Sequence, residues 1–574
     1  MSSRVERANA KPFLRQTPTL NALQKLNDYD EIVIYCGAGV TIDQTGVSWT
    51  QLVRHIFRAG RTVVNDATRA KSVEFLIDQI QDPRQLASIV VEAFKPSMIS
   101  EQEFLGSQLH SILYSEDTWS VGLILRNLAY YAVMAALFSH SVTIITTNYD
   151  SFIEKKLDDR ARQVSSEAGD IAVPAKRTTL STETGPDTEI LRADESATGS
   201  IEVIYLHGRV AQDGKVQGDL VLTEGSYAKT RQQSRDILTK HFGRSDAGQA
   251  KALLIVGASL TDEPLIDALY HTREDAPPAG QEPQYRVALT AAPLSEGWID
   301  ARFSTEDEAT RIKDTDVLKT LALRGQHLGL EILWPAFHTQ TAQFLEELRV
   351  DLDHRTRSDG KSSYRDAEEK VSYEHRLKSW STAFATGRAL TDQDFTHETL
   401  ALLKTSVEER LDALGADRSG EILRTELWAR VTPSSHMLEL IGSSSGPIRD
   451  VDTFRKEPID STANASVVAF REGRPLFRSL DDLNLSDKAS RWKTFFAVPV
   501  FLHVESVTGG GGLIPVGVVT LTSSHGYKSE GPGKRSALEE LAPNALHDMA
   551  NVFIGVGRTM LSPEWSKDAG AASD

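Results

Sequence analysis

"EIVIYCGAGVTIDQTGVSWTQLV", residues 31–53, decides the fold. Ile32 to Tyr35 form a short β-branched and aromatic run with polar residues before it and glycine after it, the pattern of a fully buried parallel strand. Gly37 and Gly39 carry no Cβ, so they allow positive φ and let the backbone come close to a ligand. Bare amides at the carboxyl end of a strand suit a phosphate; the same residues also suit a tight strand-to-helix turn with no ligand.

Working outward, further apolar runs repeat the design: "HSVTIITTNYD" at 140–150, "IEVIYLHGRV" at 201–210, "AKALLIVGASLTDEPL" at 250–265, "YRVALTAA" at 285–292 and "GLEILWP" at 329–335. Between them lie segments of helical spacing, among them Phe104 to Phe138 and "TQTAQFLEELRVDL" at 339–352. Strands alternating with helices predict a parallel sheet with helices on both faces. In such a sheet ligands bind outside the carboxyl ends of the strands. The residues that follow the apolar runs are therefore the candidates: Gly37, Ala38 and Gly39, then Thr147, Asn148 and Asp150, then His207, then Gly257, Ser259 and Leu260, with Thr41 and Asp43 after the first turn.

Composition sets the limits. A chain of 574 residues is too long for one core and predicts several domains. Hydrophobic residues at 40% and charged ones at 25% are ordinary for a soluble globular protein, and no run approaches the length of a membrane span. The N-terminal residues show no apolar secretory segment, so the expectation is a cytoplasmic protein. A net charge of −17 argues against a general nucleic-acid surface. The single cysteine, Cys36, excludes an intrachain disulfide and a multi-cysteine metal site, and reads as a small buried hydrophobe.

"GAGVTIDQTGVSW", "TTNYD", "YLHG" and "VGASLTDEPL", in that order and spacing, resemble the motifs of the sirtuins, and more closely the sirtuin-like domains of bacterial anti-phage defence proteins; "LTEGSYAKT" at 222–230 is similar to a segment of that defence branch. The resemblance covers about residues 20 to 352. It implies a Rossmann-like sheet that binds NAD as substrate, with Gly37, Ala38 and Gly39 under the pyrophosphate, Asn148 and Asp150 at the nicotinamide ribose, and His207 as catalytic base. The residue types agree with that chemistry. An amide both donates and accepts hydrogen bonds, imidazole titrates near neutrality, and a carboxylate can stabilise an oxocarbenium-like cation. Each residue also has a structural reading: Asn148, Asp150 and Ser259 can cap helices, His207 can be a turn histidine, and Trp49 reads as core.

This chain lacks the paired cysteines that hold the zinc module of deacetylating sirtuins. Without it the acyl-lysine cleft is incomplete, and water becomes the natural nucleophile. The expectation is hydrolysis of NAD to ADP-ribose and nicotinamide by a domain at 1–352 that needs no metal. A non-catalytic sensor of NAD or a derivative is the alternative, and a deacylase or ADP-ribosyltransferase a weaker one.

Residues 353–380 are charged and read as a linker, and 563–574 as a disordered tail. Beyond the linker, "TLALLKTSVEERLDALGA" (399–416) and "EILRTELWARV" (421–431) are amphipathic, and "SSHMLELIGSSSGPI", "ASVVAFREGRPLFRSL", "WKTFFAVPVFLHVES" and "LIPVGVVTLTSSH" read as short strands before a closing helix. That order resembles a GAF domain, an α+β unit with an antiparallel sheet, at 381–562. Such a domain implies a sensor for a small-molecule or protein activator, or a surface for homo-oligomer contacts. "VTGGGGLIP" at 507–515 lacks the Lys and Ser/Thr of a phosphate loop and reads as a flexible hairpin connection.

Overall fold

The computed structural model describes residues 13–63, 67–80, 82–96, 99–114, 122–168, 174–181, 186–192, 199–274, 280–290, 314–335, 338–357, 392–430, 437–448, 455–459, 461, 464–479, 492–504, 512–526 and 536–561. Residues 358–380 of the linker, the connection at 507–511 and the tail lie outside them. In chain order, α1 (Thr17–Lys25) precedes β1 (Glu31–Cys36); then α2 (Ile42–Thr45), α3 (Trp49–Val63), α4 (Ala67–Gln79), α5 (Pro83–Phe94), α6 (Glu101–Leu113) and α7 (Leu123–Leu137) lead to β2 (Ser141–Thr146). After α8 (Phe152–Ala168) come β3 (Ala175–Thr179), β4 (Asp187–Arg192), β5 (Ser200–Tyr205), β6 (Arg209–Val210) and β7 (Val216–Gln217). The first part closes with α9 (Glu224–Phe242), β8 (Ala252–Val256), α10 (Glu263–His271), β9 (Tyr285–Leu289), α11 (Asp314–His327), β10 (Glu331–Leu333) and α12 (His338–Arg357).

The main sheet runs β10-β9-β8-β1-β2-β5-β3-β4, and each neighbouring pair is parallel except β3 with β4. β1 is buried on both faces. Ile32, Ile34 and Cys36 join one core with α7 and α12, while Val33 and Tyr35 join another with α9 and α10. From β1 the chain steps one way to β2 and β5, then returns on the other side of β1 with β8, β9 and β10. That reversal opens a crevice at the carboxyl ends of β1 and β8. The β3–β4 hairpin is too polar to stand out as apolar runs, and β4 is exposed from Asp187 to Leu191.

Helices α3 to α6 form a cap with its own core, built from Leu52, Ile56, Phe57, Val90, Phe94 and Leu109, which also takes in Tyr149 and Leu222 from the strand ends. Local signals start these helices. Asp82 accepts the Arg84 N–H ahead of Pro83, and Ser100 accepts the Glu103 N–H.

Helix α12 departs from its amphipathic sequence. Its polar side chains Glu346, Arg349, Asp351 and Asp353 are as buried as Phe344 and Leu348. Buried charge must be paired. Arg349 donates to Glu346 at 2.8 Å, and Asp351 meets Arg355 at 2.7 Å and the Asn27 amide at 2.8 Å, while the Tyr131 hydroxyl donates to Asn27 at 2.9 Å. The helix continues to Arg357, into the stretch read as a linker.

The second part begins with α13 (Gln393–Ala413) and β11 (Leu423–Ala429), followed by β12 (Met437–Ser443), β13 (Lys456–Pro458), α14 (Ala465–Glu472), β14 (Leu476–Ser479), β15 (Thr494–Val504), β16 (Gly512–Ser523) and α15 (Pro543–Leu561). Two sequence readings are corrected. "EILRTELWARV" is the strand β11 rather than a further amphipathic segment before the sheet, because its Leu427 and Trp428 face opposite cores. "ASVVAFRE", read among the short strands although the GAF resemblance sets a middle helix before the turn "AFREGRPLF", is the helix α14, capped by Asn464 accepting the Ser466 and Val467 N–H groups and ended by Gly473 at φ 68°.

The antiparallel order is β13-β12-β11-β16-β15-β14, and β15 and β16 form the expected hairpin, pairing from Thr494–Ser523 to Val504–Gly512. Helices α13 and α15 cover one face. The face under α14 is filled by Trp428, Leu438, Val467, Phe470, Leu476, Ala497 and Val518. One continuous core joins the two parts, with Leu345, Leu348 and Leu352 of α12 in the same cluster as Phe501, Leu502 and Leu561.

Candidate functional site

The glycine turns after β1 and β8 are built against each other. The Gly37 N–H donates to the Val256 carbonyl at 3.0 Å and the Gly39 N–H to the Gly257 carbonyl at 2.9 Å. A Cβ on Gly37 would lie 2.5 Å from the Gly257 oxygen, and one on Gly257, at φ 66°, 2.6 Å from the Val40 nitrogen. This corrects the reading of Gly37 and Gly39 as bare phosphate-binding amides. Both amides are taken up within the protein, and the missing side chains let two turns touch, although Gly37, Ala38 and Gly257 still line the cavity.

The residues after β2 and β5 are held by hydroxyls and backbone groups around them. The Asn148 side-chain amide donates to the Thr41 hydroxyl at 3.2 Å, and its own N–H donates to the Thr146 hydroxyl at 3.0 Å. Asp150 accepts the Phe152 N–H at 3.1 Å, so it caps α8 and lines the cavity at once. Burial pushes its carboxyl up to about 6, while hydrogen bonds from Phe152 and Thr41 oppose the shift. His207 is fixed by the Leu206 N–H donating to the Thr146 carbonyl at 2.9 Å, the Val221 N–H donating to its own carbonyl at 3.2 Å, and Gly208 turning at φ 71°. Arg209, two residues on, pairs with Glu154 of α8 at 2.8 Å. Burial lowers the pKa of His207 below its ordinary value, and the negative charge of Asp262 acts against that.

These side chains converge on a cavity of about 470 Å³ lined by Thr41, Thr147, Asn148, Asp150, His207, Ser259 and Leu260. Of the predicted site residues, Gly39 and Asp43 lie outside this lining, and Asp43 lines neither this cavity nor the next. It is buried and accepts the Ile124 N–H at 3.0 Å at the start of α7, and desolvation raises its carboxyl to about 7. Trp49, read as core, is half-buried in the cavity wall, stacked on Tyr149 with ring centroids 6.1 Å apart. Gly39 lines a second cavity of about 460 Å³, with Trp334, Arg324 and His338, which meets the first at Gly257, Ala258, Ser259 and Leu260. Leu260 holds a left-handed φ of 55°, and Arg324 donates to its carbonyl at 2.8 Å.

Sequence reasoning missed Tyr35, Arg84, Tyr227 and Asp262, which also line the first cavity. Tyr227 and Asp262 stand inside "LTEGSYAKT" and "VGASLTDEPL", but their spacing from Asn148 and His207 carries no sign of contact. The Tyr227 ring lies edge-on to His207 with centroids 5.0 Å apart, and Arg84, from the cap, sits 5.2 Å from the Tyr227 ring centre. Among the described residues no group of three or more His, Cys, Asp or Glu is arranged to hold a metal ion. No helix among them is long and apolar enough to cross a membrane.

A mostly parallel sheet with a crevice at its reversal point, ringed by an amide, a carboxylate and an imidazole, is a Rossmann-like α/β domain with a candidate ligand site at the carboxyl ends of its strands. Residues 142–315 match the family model described as SIR2-like domain, so the chain carries a sirtuin-like domain, a likeness that points to NAD-related chemistry in general. The match starts at β2 and takes in Asn148, His207 and Ser259. No curated protein matches the chain.

Proposed function

We propose that the chain is an NAD hydrolase, releasing nicotinamide and ADP-ribose, and acts as a regulated effector of anti-phage defence by depleting NAD. The observation that carries this reading is the convergence of Asn148, Asp150 and His207, from the ends of β2 and β5, on one cavity of a sirtuin-like domain. The two joined cavities have room for a dinucleotide lying across the Gly257 turn, with its nicotinamide end beside His207 and its adenosine end beside Trp334. Water attacks the ribose carbon. The bond to nicotinamide breaks with its electron pair, so nicotinamide leaves neutral, and the proton of water passes to the His207 imidazole. Asp150 faces the positive charge that develops on the ribose.

Control by a small-molecule or protein activator acting through the second part has a physical route. Arg474, held by Glu472 at 2.7 Å, reaches the Gly46 carbonyl at 3.5 Å, at the end of the short helix α2. That helix follows directly on Thr41, whose hydroxyl holds Asn148. A shift of the second part therefore bears on the residue that positions the catalytic amide.

Following nicotinamide and ADP-ribose from NAD with the full chain, alone and in cells where the activator is present, tests the reading. Product formation that vanishes in Asn148→Ala and His207→Ala supports it. NAD binding without turnover in every setting would make the domain a sensor instead.

A further inference from the structure

Asp262 is the N-cap residue of α10, yet its side chain does not cap the helix. One carboxylate oxygen accepts the Tyr227 hydroxyl at 2.8 Å and the other faces the Tyr35 hydroxyl at 3.3 Å. Asp is a favoured cap because its oxygen satisfies a free N–H of the first turn. Here the carboxylate is turned into the cavity, where it meets two tyrosines, of which Tyr227 lies beside His207. Tyr227 is the link, bonded to Asp262 and packed edge-on against the imidazole at 5.0 Å.

We propose that Asp262 is a positioning residue of the hydrolytic site: it fixes Tyr227 against His207 and supplies the negative charge that the imidazolium faces once His207 has taken its proton. The proposal rests on the NAD hydrolase reading for its consequence in catalysis, while the chain from Asp262 through the Tyr227 hydroxyl to the His207 ring stands on geometry. The other titratable groups around the cavity are Asp150 after β2, Tyr149 beside the imidazole, Tyr35 of β1, and Arg84 with its partner Asp82 on the cap. Of these charges, that of Asp262 reaches the imidazole and opposes its desolvation. A buried base with no counter-charge would lose affinity for the proton it must accept; a neighbouring carboxylate restores it.

Asp262→Asn tests this in the full chain, because an amide oxygen can still accept from Tyr227 while the charge is gone. His207 is followed by pH titration of its imidazole resonance in protein labelled at histidine, assigned by its loss in His207→Ala. The expected result is a titration midpoint at lower pH in Asp262→Asn than in the wild type, with the wild-type midpoint restored in Asp262→Glu. Where nicotinamide release is measured alongside, the acid limb of its pH profile moves the same way. An unchanged or higher midpoint overturns the proposal, since a purely structural contact would survive in the amide. Asp262→Ser serves as second variant because serine caps helices well; loss of folding in both would assign Asp262 to the architecture and also overturn it. A midpoint that falls while neither protein releases nicotinamide would leave the Asp262–His207 pairing standing and remove the hydrolase reading.

Discussion

The parallel sheet leaves a cavity at the carboxyl ends of β1, β2, β5 and β8, whereas among the described residues both faces of the antiparallel sheet carry packed apolar side chains. In the first, the strands stop at glycine or polar residues, and the cap from α3 to α6 bridges the ends without closing them. In the second, Trp428 and Phe470 occupy the space under α14. Polar side chains kept out of close packing can meet a ligand, while a packed face transmits force as a unit because dense interiors are not freely deformable. The first part thus keeps polar side chains at an open cavity, while the second meets it at Gly46, whose carbonyl Arg474 reaches at 3.5 Å.

The largest expected effect lies at the cavity. His207→Ala and Asn148→Ala should each lower NAD cleavage by about 100- to 10,000-fold, the usual contribution of a general base or a positioned polar group, with thermal unfolding close to wild type. Cleavage near the wild-type rate in either would break the assignment of chemistry to the parallel sheet. Trp428→Ala, in the packed face, should destabilise the chain by about 3–5 kcal/mol in denaturant unfolding. A much smaller loss would mean that the space under α14 can collapse or hold a ligand, and the contrast between the two sheets would weaken.

Asp43 offers a sharper distinction, because it belongs to the first part without lining its main cavity. Its folded pKa of about 7 lies above its ordinary value, so folding favours the protonated form. Its contribution to stability is therefore fully present below the unfolded carboxylate range and is lost as pH rises through about 7. Asp43→Asn, which can still accept the Ile124 N–H, should remove that loss and raise stability at pH 8 by a few kcal/mol at most, since a tenfold difference in proton affinity is worth about 1.4 kcal/mol. Unfolding curves at pH 5 and pH 8 check this, and an Asn variant with the same pH dependence as wild type would contradict it. The smallest effect on stability, under about 1 kcal/mol, is expected for Arg474→Ala, as for other partly exposed ion pairs. Its consequence should show instead as a several-fold change in the response of NAD cleavage to activation; an unaltered response would place the coupling elsewhere.

Much of the site was legible because a strand's carboxyl end is marked locally. An apolar run followed by glycine or a polar cluster needs no partner to be recognised, so Asn148, Asp150 and His207 could be found before any contact between them was known. Tyr227 and Asp262 escaped because helix starts are rich in such residues, and only the approach of α9 and α10 to β5 gives them a neighbour to act on. The helix α14 was lost in a run of mixed residues whose apolar positions fit either period, and its Asn464 cap and Gly473 end were the overlooked signals.

What the sequence by itself determined is the alternation of strand and helix, the buried character of β1, and the residue types waiting at the strand ends. These follow from local periodicity and from the exclusion of polar groups from a core. Only the tertiary structure decided that Gly37 and Gly39 face Gly257 instead of offering their amides, that the charges of α12 are buried as pairs, and that Asp43 anchors α7. Each depends on which segment of chain arrives opposite, and a hydrogen-bonding group in a folded chain takes the partner that packing brings to it rather than the one its sequence neighbours suggest.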